Sequence, residues 1–241
     1  MFLQVCAGLA NRLRATVSGI CAAQDLGVPL VISWPWEATC AATFNDLFEP
    51  IPRVEMTNRQ SPMARMCLSP ADWEREKTQG EIIIKSYGHF HQSDPARWLK
   101  TLQSLKPRAE FTERVKTLVG FGGHVVGVHI RRTDNKVSCE RSPTSAFIAE
   151  MKKYKKDTVF FIATDDNKEW DTLARIFPTE RLIRATTNRS RDTSDGMHGA
   201  FIDFLCLAAC AEILGSAGSS FSEMAAAYGD RPLCIVTSPS T

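Results

Sequence analysis

His124-Val125-Val126-Gly127-Val128-His129-Ile130-Arg131-Arg132-Thr133-Asp134 reads as an apolar strand that turns charged at its carboxyl end. Open α/β sheets bind their ligands just beyond the carboxyl ends of strands, so this stretch marks both a fold class and a candidate site. Side chains alternate along a strand, which puts His129 and Arg131 on one face and Ile130 and Arg132 on the other. An Arg fork can hold two oxygens of a diphosphate, and its permanent charge suits a leaving group that gains negative charge as its bond breaks. The competing reading is a surface ion pair between Arg131 or Arg132 and Asp134, and the stretch by itself leaves the two open.

Outward from this strand, short β-rich runs alternate with longer helical ones, the pattern of an α/β protein with largely parallel sheets. The expected strands are Phe2 to Cys6, Pro29 to Trp34, Glu81 to Tyr87, His124 to Arg131, Thr158 to Ala163 and Arg231 to Val236. The expected helices are Asn11 to Asp25, Ala109 to Val119, Pro143 to Lys155, Lys168 to Ile176 and Gly199 to Leu214, with a short one over Glu223 to Tyr228. Residues 50 to 80 read as a loop-rich insertion. The run Gly120-Phe121-Gly122-Gly123 follows a helix and precedes the strongest strand, so it is the expected hinge between two lobes, residues 1–122 and 123–241. A dinucleotide fingerprint would sit the other way round, after a strand and opening a helix.

The composition, 241 residues with 44% hydrophobic and 23% charged, is that of an ordinary globular chain and excludes disorder or collagen-like repetition. Lys and Arg number 29 against 27 Asp and Glu, so no polycationic surface speaks for nucleic acid, and Arg181, Arg184, Arg189 and Arg191 read as a loop edge. The eight cysteines form no Cys-x-x-Cys pair and read as core thiols, which points to a reducing, cytoplasmic setting. No window is apolar enough for a membrane span. No Walker-type Gly-Lys-Ser/Thr and no Asp-x-Asp occurs, and His89 with His91 lacks a third ligand, so neither a P-loop nor a metal site is expected.

Four further signals follow, two of them at expected strand ends. Val159 to Ala163 runs into Thr164-Asp165-Asp166, where Asp166 with Glu169 fits a helix capping box. Asp165 is left either to orient a substrate hydroxyl or to tie a neighbouring loop through main-chain N–H groups. Asp203 is the lone charge near the start of the apolar 199–214 helix, where a buried carboxylate needs donors such as the adjacent N1–H and N2–H of guanine, or a local cap or Arg. Small residues from Gly215 to Ser222 lead into the last helix, so Ser219, Ser220 and Ser222 suit a phosphate cradle, with Ser220 and Glu223 also matching a capping box. At the other end, Gly8-Leu9-Ala10-Asn11-Arg12-Leu13-Arg14 joins the first strand to the first helix and leaves Asn11 and Arg14 as ligand contacts or as solvated cap residues.

Taken in order, these residues resemble a known family. His129-Ile130-Arg131-Arg132-Thr133-Asp134 followed by Glu140 resembles the first donor-binding motif of the α1,6-fucosyltransferases and of their α1,2- and protein O-fucosyltransferase relatives. Thr164-Asp165-Asp166 resembles the second motif, Asp203 with Ser219 to Ser222 the third, and the Gly8 to Arg14 turn an N-terminal segment of related sequences. The resemblance implies two Rossmann-like lobes in a GT-B arrangement with a cleft between them, and inverting, metal-independent transfer from GDP-fucose to a glycan hydroxyl without a cofactor. It implies that His129 and Asp203 contact guanine and that Arg131, with Ser219 and Ser220, holds the diphosphate. Glu140 falls at the general-base position after one inserted residue, and Asp134 is the alternative base. The resemblance implies that the second lobe binds the donor and the first forms most of the acceptor side; it is good over residues 124 to 225, weak over the first 36 and nearly absent over 50 to 120, which leaves the acceptor unassigned. The rival readings are the same reaction with another donor such as UDP-xylose, and a non-catalytic glycan- or nucleotide-binding module.

Overall fold

The computed structural model describes residues 1–120, 124–188 and 190–238. The chain forms two compact units, one of Met1–Arg108 with Arg191–Met197, the other of Ala109–Ser190 with the chain from His198 onward. The division falls before the expected 122/123 boundary. The helix Ala109–Val119 has the bounds its composition predicts, yet it belongs with the second unit, where Phe111 packs edge-on against Phe201 at 4.9 Å. Of the expected hinge, Phe121, Gly122 and Gly123 lie outside the described residues, and Gly120 takes the left-handed φ of +67° common where helices end.

The first unit holds a five-stranded parallel sheet in the order β3-β2-β1-β5-β4, with β1 Phe2–Val5, β2 Leu30–Ser33, β3 Val54–Thr57, β4 Arg65–Met66 and β5 Ile83–Ser86. β1 passes through Gly8 into α1, Leu9–Leu26, whose buried face follows the spacing of Leu13, Val17 and Ile20. The helix ends in a left-handed Gly27 at φ +65°, which returns its N–H to the last carbonyls. Asn11 and Arg14 sit in the opening turns of α1, which begins two residues before the expected start at Asn11. Residues 50 to 80 are more regular than their prolines suggest. They contain β3, β4 and a short helix, Pro70–Glu76, whose capping box joins Ser69 to Asp72.

The second unit carries another parallel sheet of five strands in the order β10-β9-β6-β7-β8, comprising β6 Val125–Ile130, β7 Val159–Thr164, β8 Leu182–Ile183, β9 Glu212–Ser216 and β10 Leu233–Val236. β6 is central, and chain order reverses between it and β9. That is the topological switch point of a doubly wound sheet. On one face of β6, Val126, Val128 and Ile130 join a core with Phe147, Phe160 and Leu173. On the other, Gly127 lets the helix Ser194–Ala209 approach so closely that a Cβ there would lie 2.9 Å from Leu207.

One expectation fails here for a physical reason. The helix read as Gly199 to Leu214 runs from Ser194 to Ala209, and Glu212–Ser216 is strand β9. A short apolar run of Ile213 and Leu214 carries no period of its own and merges with the apolar helix before it. The shift places Asp203 in the middle of the helix, so the favourable field of a helix N-terminus, which fades within one turn, does not act on it. Six of the eight cysteines are buried free thiols, as core packing predicts, and Cys234 is exposed. Among the described residues, no helix is long and apolar enough to cross a membrane.

Candidate functional site

β6 ends at Ile130, and the connection beyond it is fixed from two sides. From β9, the Ser216 hydroxyl donates to the His129 carbonyl at 3.1 Å and accepts from the Arg131 N–H at 2.9 Å, closing the switch point. From β7, Asp165 accepts the Arg132 N–H at 2.7 Å and the Thr133 hydroxyl at 2.6 Å, and pairs with the Arg131 guanidinium at 2.5 Å. Of its two possible roles, Asp165 performs the loop-tying one. The anchoring holds Thr133 at φ +31°, a conformation a β-branched residue adopts only when its surroundings impose it.

The two arginines have separate duties. Arg132 is spent on structure: it meets Glu169 at 2.9 Å, the Thr144 hydroxyl at 3.0 Å and the Arg131 carbonyl at 2.8 Å. This draws Glu169 away from a capping box, and Asp166 caps its helix, Asn167–Ala174, without it by accepting from the Lys168 N–H at 2.9 Å. Arg131 stays at the edge, its side chain 17% exposed, between Asp165 and an Asp134 that is 60% exposed. The ion pair with Asp134 that the sequence offers as a competing reading is thus present, on the exposed side of the guanidinium.

His129 is buried, and burial lowers its pKa to about 4; the Asp165 charge opposes the shift and the Arg131 charge adds to it. Its ring lies 4.9 Å from that of Phe221, which also meets Phe204 edge-on at 5.7 Å. Among the described residues, the buried Nδ1 of His129 has no hydrogen-bond partner. A buried imidazole edge without a partner, in a sheet crevice, is an open binding valence. Because the unfolded histidine titrates near 6.5 and the folded one near 4, the unfolded state binds more protons between those values. The contribution is complete above about pH 6.5 and lost as pH falls toward 4. Between pH 7 and pH 5, thermal or urea unfolding should show the wild type losing about 2 kcal/mol more than His129→Gln. Equal losses would mean that His129 is not held neutral.

The loop after β9 completes the site. The 10-residue helix Ser220–Gly229 starts with Ser219 as N-cap, one residue before the expected capping box, so Ser220 and Glu223 do not form it. Ser219 is buried at that helix start, Ser220 is half-buried, and Ser222 turns inward with its Cβ 2.9 Å from where a Cβ on Gly215 would lie. Ser222 is therefore a packing residue. The loop is tied to the helix Lys136–Arg141 by Ser138 donating to the Ala217 carbonyl at 2.7 Å, by the Ala217 N–H reaching Ser142 at 2.8 Å, and by Asn135 donating to Gly218 at 3.1 Å. Glu140 lies exposed on that helix, while Asp203 is buried one residue from Phe204. In outline, β6, β7, β9 and two helices bring His129, Arg131, Asp134, Asp165 and Ser219 to one sheet edge.

Ser216 and the Asn135–Ser138–Ser142 tether carry no sequence motif, and Phe221 lies inside the Ser219 to Ser222 motif without a role of its own in it. Ser216 was hidden with its strand. Of the arginine cluster, Arg181 donates to the Thr158 carbonyl at 2.8 Å and Arg184 stacks 4.3 Å from the Trp170 ring; Arg189 lies outside the described residues. His91 meets Asp25 at 2.6 Å and His89 stacks on Trp98, so the pair has separate partners.

No family model matches the chain, and no curated protein does. Solved structures do. A crystal structure of NodZ α-1,6-fucosyltransferase soaked with GDP-fucose superposes with a TM-score of 0.69 at 18% identity, over 94% of this chain and 92% of that one. The fold is that of a fucosyltransferase. Fucosyltransferase NodZ from Bradyrhizobium gives 0.68 at 19% identity over 93% and 91%, and POFUT1 in complex with GDP gives 0.61 at 11% over 98% of both chains. The fucosyltransferase fold resolves the architecture that the resemblance implies, two parallel Rossmann-like sheets, at identities that show the fold alone.

Proposed function

We propose that the protein transfers fucose from GDP-fucose to a hydroxyl of a glycan acceptor, with inversion and without a metal ion. The observation that carries this reading is the open valence of His129 beside Arg131 and the helix start at Ser219, all at the switch point of the second sheet. The neighbours' bound GDP and GDP-fucose supply the ligand class.

The buried ring cluster of His129, Phe221 and Phe204 offers a dry wall for a purine, and the Asp203 carboxylate matches the paired N1–H and N2–H donors of guanine. Arg131 then takes the diphosphate with the free N–H groups at the start of the Ser220–Gly229 helix. Its permanent charge performs the neutralisation that a divalent ion performs in other transferases. In the displacement, the acceptor oxygen bonds to the fucose anomeric carbon as the bond to the β-phosphate oxygen breaks. GDP leaves with the electron pair, and the acceptor proton passes to a carboxylate. Asp134 and Glu140 are the two candidate bases, both lying between the end of β6 and the helix Thr144–Met151.

Calorimetry with GDP and UDP tests the donor. GDP should bind more tightly, because uracil presents one N–H between two carbonyls and fits Asp203 poorly. Transfer from GDP-fucose should persist in excess chelator. Tighter UDP binding would overturn the guanine assignment, and loss of turnover on chelation would overturn the role given to Arg131.

A further inference from the structure

The carboxyl edge of the first sheet bears its own concavity. A small open-mouthed pocket of about 210 Å³ lies where β2 and β3 end, below the roughly 300–1,000 Å³ usual for drug-sized ligands, which limits it to a single small ring. Met56 supplies apolar surface above the buried Trp34 and Phe44, and Thr43, Asn45, Thr57 and Asn58 supply neutral polar groups. The Trp34 indole N–H is committed to the Ala42 carbonyl at 3.1 Å and the ring is fully buried, so Trp34 underlies the pocket and offers it no donor.

We infer that this pocket binds one sugar residue of a neutral glycan, with Asn45 and Asn58 reading its hydroxyls. No lining residue carries a charge, so neither a phosphate nor a cation would find a counter-ion there. An amide side chain offers two donors and an acceptor side by side, which matches a pair of neighbouring hydroxyls that both donate and accept. The Asn45 and Asn58 side-chain amides are exposed and, among the described residues, take no part in a protein hydrogen bond. The threonines are fixed in place: Thr43 donates to Asp46 at 2.8 Å, and the Thr57 hydroxyl accepts from the Arg59 N–H at 3.2 Å. On the same strand-end loop, two residues beyond Trp34, Trp36 stands 55% exposed. Two residues span at most about 7 Å, so its ring is within reach of a second sugar of the same chain.

That this glycan is the acceptor rests on the transfer reading above; that the pocket takes a neutral sugar does not. Saturation-transfer NMR of the whole protein with neutral oligosaccharides of gluco, galacto and N-acetylhexosamine type, and with an acidic oligosaccharide as control, tests it. At least one neutral oligosaccharide should bind, and Asn45→Ala and Asn58→Ala should each weaken it at least tenfold while GDP affinity stays within twofold. Trp36→Ala should weaken a tri- or tetrasaccharide more than a monosaccharide. No neutral binder, a preference for the acidic sugar, or binding unchanged in both Asn variants would overturn the inference. Sugar binding that depends on the pocket in a protein that ignores GDP would instead overturn the transfer reading and leave the pocket's ligand standing.

Discussion

Arg131→Ala is expected to lower fucosyl transfer by about 100- to 1,000-fold, the usual cost of removing one preorganised donor from a developing anion. The fold should survive. Asp165 keeps the Arg132 N–H at 2.7 Å and the Thr133 hydroxyl at 2.6 Å when the guanidinium is gone, so the loop keeps two of its three ties to that carboxylate. Asp134 is 60% exposed and regains water, which limits the penalty of losing its partner. The loss therefore falls on kcat more than on the thermal midpoint. Arg131→Lys should recover only part of it, because an ammonium is a point charge and cannot bridge two phosphate oxygens as a planar fork does. Steady-state kinetics with GDP-fucose, alongside unfolding curves, separates the two effects. Most of the transfer retained in a folded Arg131→Ala protein would remove Arg131 from the mechanism.

The part of this site legible in the sequence is the part built on β6 and β7. Both strands are long apolar runs that end in charge, and the same run that makes each a buried parallel strand places Arg131 and Asp165 at the carboxyl edge. Asp203, Ser219 and Ser222 were visible as residue types, but their settings were not. The helix before β9 is apolar on every side and hides a strand of five residues, which moved Asp203 from a helix start to a helix middle and left Ser216 unread. Partnerships were the other blind spot. Whether Asp165 orients a ligand or ties a loop depends on which N–H groups lie within 3 Å of it, and composition does not carry that. In the first unit the limit was length: β3 and β4 span four and two residues, too short for periodicity to show among prolines. The pocket between Trp34 and Asn58 inherits that limit, since it is assembled from loops that follow those strands.

Arg12, part of the Gly8 to Arg14 segment but given no role in the sequence reading, carries the largest expected effect on stability. It is completely buried. Its guanidinium donates to the Ala7 carbonyl at 2.8 Å, the Pro35 carbonyl at 2.5 Å and the Glu37 carboxylate at 2.8 Å, and lies 5.5 Å from the Trp34 ring centre. One side chain thus binds the turn after β1 to the chain leaving β2, including Ala7 at a left-handed φ of +66°. A buried charge costs several kcal/mol to desolvate, and that cost is offset only while every donor is paired. Arg12→Ala removes the offset and leaves two carbonyls and a carboxylate without their donor, beside a cavity against Trp34. The expected destabilisation is about 3–5 kcal/mol, the range for breaking a buried pair from one side. At about 2–4 °C per kcal/mol for a chain of this size, the thermal midpoint should fall by roughly 6–20 °C. Arg12→Lys should fall between the two proteins, since an ammonium on a shorter reach cannot serve three acceptors in the plane of a guanidinium. Because Trp34 also underlies the pocket, Arg12→Lys should weaken neutral-sugar binding while leaving GDP affinity within twofold. A midpoint for Arg12→Ala within about 2 °C of the wild type would show that the clasp is dispensable.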